Sequence, residues 1–118
     1  MRAYLIDVAN NDAKVVDIQD SLETYYSLIN CECIDIVTRT IGGKEFDIVC
    51  DDVGRLVDNP IPSMYSSKGE VMFCGNIVIC GVADNNGCLT SLTDKDIELI
   101  SRYIISSRVV LWLPIRFS

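Results

Sequence analysis

The sequence predicts a single α+β domain, residues 1–118, built on a mainly antiparallel sheet of five or more strands with two helices. Three observations predict it. Two-residue periodicity and short continuous apolar runs alternate with turn-forming residues along most of the chain. Two segments, near residues 20–30 and 93–104, carry apolar side chains at three-to-four spacing instead. No internal repeat, low-complexity tract or change in composition divides the chain.

The first strand covers residues 2–8, and residues 9–12, "ANND", form a turn from side chains that tolerate left-handed backbone angles. Residues 13–18 pair back as a hairpin. Asp20 or Ser21 caps a short helix whose apolar face is Leu22, Tyr25, Tyr26 and Ile29, ending at Asn30. From Cys31 the period changes to two, with Cys31, Cys33 and Ile36 alternating against Glu32 and Asp35 until "IGGKEF" turns the chain at Gly42 and Gly43. Residues 46–50 return as the partner strand, and "DDVGR" at 51–55 is a turn.

Residues 58–70, "DNPIPSMYSSKGE", hold two of the three prolines and no periodicity, so they are expected to be the longest loop and a candidate binding segment. The apolar run 75–83, "GNIVICGVA", reads as a central strand closed by the tight turn "DNNG". Thr93 caps the second helix, with Asp94 and Asp96 in the first turn, where the helix dipole favours acids. Ile97, Ile100 and Ile104 form its buried stripe, with Leu99 or Tyr103 at the margin. Beyond Ser107, "RVVLWLPIRF" adds a last strand or an exposed oligomer contact.

Composition excludes several function classes. The chain is 49% apolar and 23% charged, the balance of an ordered core under a solvated surface. A net charge of −7 disfavours binding to nucleic acid, because phosphate backbones repel so acidic a chain. There is no histidine, which removes the commonest general base and the commonest zinc ligand. The six cysteines lack the two paired knuckles of a structural zinc site, so no metal and no cofactor are expected. A nucleophilic cysteine or serine needs a neighbouring base, and nothing pairs Lys14, Lys44, Lys68 or Lys95 with one; the chain is expected not to be an enzyme. The first residues are too briefly apolar for a signal peptide, and no stretch approaches the ~18 apolar residues of a membrane span, so the expectation is a cytoplasmic protein with reduced thiols and no membrane contact.

Charge placement supplies the candidate sites. Acids dominate the first hundred residues, and among them Asp47, Asp51, Asp52 and Asp58 are expected to form an acidic surface able to occupy a basic groove on another protein. From Arg102 onward there are three arginines and no acid. Arg102, Tyr103, Arg108 and Trp112 are the alternative site, arranged to hold an anionic nucleotide, in a homo-oligomer if one closes the pocket.

The strings "VVDIQDSLETYYSLIN", "CIDIV", "DIVCDDVGRLVDNPIP" and "CGNIVICGVADNNGCLTSLTDKDIE", taken in order, resemble a family of small proteins of unknown function encoded by phages, prophages and conjugative elements of Gram-positive bacteria. The resemblance covers about residues 2–105 and is strongest where the small-residue strand runs into the Ser-Leu-Thr-Asp helix start. It leaves out "SSRVVLWLPIRFS". It implies a small mobile-element product acting on its host cell, and such proteins are often inhibitors of bacterial immunity. The expected partner is therefore a host immune protein, bound through the acidic surface, or alternatively a nucleotide immune signal, sequestered by the arginines.

Overall fold

A computed structural model describes residues 1–53 and 59–111. Its elements run β1 (Arg2–Asp7), β2 (Asp12–Asp17), α1 (Leu22–Ile29), β3 (Ile34–Ile41), β4 (Lys44–Asp51), β5 (Pro62–Tyr65), β6 (Val71–Cys74), β7 (Ile77–Cys80), α2 (Asp94–Ser101), β8 (Ile104–Ile105) and β9 (Arg108–Val110). The fold is α+β, as the periodicities predict. Its main sheet is antiparallel throughout, in the order β2-β1-β7-β4-β3. A second sheet, ordered β6-β5-β9-β8, contains one parallel pair, β5 with β9.

Both hairpins of the main sheet follow from their turn residues. Ile41 faces Lys44 across Gly42 (φ +61°) and Gly43 (φ +86°), the positive angles that a two-residue loop of this kind requires. A side chain at Gly42 would also collide with Leu99, since a Cβ there would lie 2.5 Å from Leu99 Cδ1. Between β1 and β2 the left-handed residue is Asn11. α1 begins at Ser21, whose hydroxyl accepts from the Thr24 amide, and ends at left-handed Asn30.

The main sheet is covered on both faces, which is why its central strands read as apolar runs rather than alternations. On one face Tyr25 and Ile29 of α1 pack with Ala3, Leu5, Val49, Val78, Cys80 and Leu89. The other face carries Tyr4, Ile6, Phe46, Ile48, Ile77 and Ile79, which meet Met64, Phe73 and Val109 of the second sheet and Ile100 of α2. All four residues of β7 are buried.

Several expectations need correcting. The run at 75–83 is not one strand: Gly75 (φ +79°) donates its N–H to the Ile61 carbonyl, so β6 ends in the second sheet before β7 begins in the first. Cys74 and Cys80 therefore belong to different sheets, and both are buried. Cys31 and Cys33 precede β3 instead of alternating within it. The expected loop at 58–70 contains β5, whose Ser63 and Met64 are fully buried; Pro62 opens the strand, where a missing N–H is tolerated. Ile104 leaves the α2 stripe and starts β8, while Ile100 stays fully buried.

α2 is fixed by a reciprocal cap and an ion pair. Thr93 and Asp96 exchange hydrogen bonds, and Lys44 of β4 reaches the same carboxylate. Burial alone would raise the Asp96 pKa, but Lys44 and the Thr93 amide and hydroxyl outweigh it and hold it below the ordinary 3.8. The folded state thus favours the carboxylate, so its contribution is present above the unfolded pKa and lost as pH falls through the folded one. Asp96→Asn should cost about 1–2 kcal/mol in urea unfolding at pH 7, and the gap from wild type should narrow below about pH 4.

Candidate functional site

Five segments of the chain meet around one cleft of about 240 Å³. Val8 and Ala9 follow β1, Ile29 and Asn30 end α1, Asp51 ends β4, and Asn59, Pro60 and Ile61 face Gly75 and Asn76. Three corners sit at positive φ, Asn30 (59°), Asn59 (52°) and Gly75 (79°), so asparagine and glycine are what the backbone there tolerates.

Two of the lining residues, Ala9 and Asn76, belong to a polar network. Asn76 Nδ2 donates to Asp7 Oδ1 (3.0 Å) and to the Leu28 carbonyl (3.1 Å), while its Oδ1 accepts from the Ala9 amide (3.3 Å). Asp7 also accepts from the amide and side chain of Asn10. Burial works against this carboxylate, yet the bonds from Asn10 and Asn76 prevail and lower its pKa. β1, α1 and the start of β7 are thereby tied together beneath the cleft.

Asp51 is the carboxylate among the lining residues, half-buried, with Oδ1 accepting from the Val53 amide at 3.0 Å. Among the described residues, no lysine or arginine lines the cleft. Asp35 and Asp52 add to the field: burial first, then Asp35, Asp51 and Asp52, push the Cys50 thiol up to about 11. Burial and then Asp51 raise Cys31 as well. Among the described residues, ion pairs engage Asp12, Asp17, Asp94, Asp96 and Glu98, but not Asp35, Asp51 or Asp52.

The sequence-predicted acidic surface is therefore redrawn. Asp51 and the exposed Asp52 belong to it. Asp47 does not: it is 5% exposed, and its carboxylate accepts from Thr38 Oγ1 and from the Ala83 amide at 2.8 Å, fastening the chain after β7 to the sheet. Asp58 and Trp112 lie outside the described residues. The other predicted groups stand away from the cleft lining. Arg102 ends α2, paired with Glu98 at 3.0 Å; half-buried Tyr103 packs near Gly42; Arg108 Nε donates to the Pro62 carbonyl at 3.0 Å. Sequence reasoning missed Asn30, Asn59 and Asn76. The available signal was Asn30 at a helix end and Asn76 interrupting an apolar run.

Such a cleft pairs apolar walls from Val8, Ile29 and Ile61 with amide groups and a carboxylate. It suits a side chain with an apolar stem and a cationic head. Burial disfavours thiolate at Cys50 and also at Cys80, which it pushes up to about 12. Among the described residues no three histidine, cysteine or acidic side chains gather as a metal site.

A model of a domain of unknown function, DUF3846, matches residues 1–105. The chain belongs to the DUF3846 family. The whole cleft of this DUF3846 domain lies within the matched residues, whereas β9 lies beyond them. No curated protein and no solved structure matches the chain significantly. No described helix is long and apolar enough to cross a membrane.

Proposed function

We propose that this DUF3846 protein is a non-catalytic binding protein that takes a basic side chain of a partner protein into the Asp51 cleft. The observation that carries the proposal is the pairing of a walled cleft with carboxylates that have no described cation. Asp51 acts as counter-ion, the stems pack on Ile29 and Ile61, and Asp52 steers the approach of a basic surface. Exposed Val53 and Ile61 supply apolar contact at the rim. In the mobile-element context that the family resemblance implies, the partner is a host immune component in the bacterial cytoplasm, and occupying its basic groove inhibits it.

The nucleotide-sequestering alternative relied on Arg102, Tyr103, Arg108 and Trp112. Arg102 and Arg108 hold other partners, and no described feature favours that reading over the first.

Calorimetric titration with an arginine-bearing peptide tests the proposal. Binding should be measurable at low salt, should weaken steeply as salt shortens the screening length, and should be absent for the same peptide with glutamine in place of arginine. Equal binding of both peptides would overturn it.

A further inference from the structure

β3 is the outer strand of the main sheet, and among the described residues no further strand pairs with its outer edge. The carbonyls of Cys33 and Asp35 point toward β4, where they accept from the Asp52 amide (3.2 Å) and the Cys50 thiol (3.6 Å). By the alternation of a strand, the N–H and C=O groups of Ile34, Ile36, Thr38 and Thr40 face outward. Two of these groups are held by the strand's own charged side chains. Asp35 Oδ1 accepts from the Ile36 amide at 2.9 Å, and Arg39 Nη1 donates to the Thr38 carbonyl at 2.9 Å.

We propose that two copies of the chain join edge to edge through β3, antiparallel about Val37, with Asp35 of each copy opposite Arg39 of the other. Only outward residues can exchange backbone bonds across such an edge, which restricts the register to alternate positions. Centring on Val37 sets Ile36 against the second copy's Thr38 and Ile34 against its Thr40. It also sets Asp35 against Arg39 twice, at close non-hydrogen-bonded positions on one face. Shifting the centre to Ile36 or to Thr38 loses both charge pairs. The backbone exchange is conservative: the Ile36 N–H and Thr38 C=O leave their side-chain partners for each other, and the released carboxylate meets the Arg39 guanidinium, which also lies 5.7 Å from the centre of the Phe73 ring. Ile36, 47% exposed, gains the neighbouring threonine methyl. The proposal does not rest on the role of the cleft, because Asp51 takes no part in it.

Sedimentation velocity from micromolar to millimolar protein is the test, with exchange of the Ile36 and Thr38 amides followed in parallel on the unaltered chain. A dimer should form with concentration, and both amides should gain protection with it. Asp35→Arg alone, or Arg39→Asp alone, should weaken dimerisation by at least about tenfold, since like charges then oppose each other twice. The double exchange should restore it, and so should an equimolar mixture of the two single variants. A chain that stays monomeric throughout, or a dimer that leaves the Ile36 and Thr38 amides unprotected, would overturn the proposal and leave Asp35 and Arg39 as guards against edge pairing.

Discussion

Asp51→Lys combined with Asp52→Lys is expected to weaken binding of an arginine-bearing peptide by at least tenfold, about 1.4 kcal/mol. Two unit charges about 4 Å apart near a protein surface interact by roughly 4 kcal/mol, and salt and solvent screening reduce this. Reversal removes the attraction and substitutes a repulsion, so even the screened value exceeds the tenfold threshold. Asp51→Asn should show a smaller loss, because the amide oxygen can still accept from Val53 and hold the local turn. Circular dichroism should be unchanged for each variant, since both positions lie at the surface end of β4. Binding that survives the double reversal would remove Asp51 from the role of counter-ion.

The largest stability effect is expected at Phe46. Its ring is fully buried between the main sheet and the second sheet, with the Lys44 ammonium 5.7 Å from its centre. Phe46→Ala should cost about 3–5 kcal/mol, since the rigid β4 backbone cannot collapse into the space. Against a total of about 5–15 kcal/mol, that is a large share, and the midpoint of thermal unfolding should fall by roughly 10–20 °C. Val15→Ala, on the solvent side of β2, should stay within about 0.5 kcal/mol. A loss below about 1 kcal/mol at Phe46 would show that the two sheets do not share this core.

Local chemistry made much of the fold legible. Ser21, Asn30, the Gly42–Gly43 pair and Thr93 each announce a cap or turn through the backbone angles and hydrogen bonds they favour, and each stands where its chemistry predicts. The second sheet was hidden because its partners are remote: β5 pairs with β9 across more than forty residues, and a short strand amid prolines and serines carries no period. In the sequence Gly75 stands at the edge of an apolar run, whereas in the fold its positive φ accompanies the passage of the chain from one sheet to the other. Asp51 and Asp52 were legible as charge. Asp47 was not distinguishable from them, because the alternation that turns it beneath the chain after β7 depends on what covers the sheet. The asparagine-lined cleft joins five separate segments of the sequence, so only tertiary structure brings it together.

The most direct measurement of the central claim is the map of amide chemical-shift changes as an arginine-bearing peptide is added to the labelled protein. The cleft account predicts changes concentrated at Ala9, Asn30, Asp51, Ile61 and Asn76, and their disappearance when Asp51 and Asp52 are both replaced by lysine. Changes centred instead on Arg102 and Arg108, or spread evenly over the acidic surface, would contradict it.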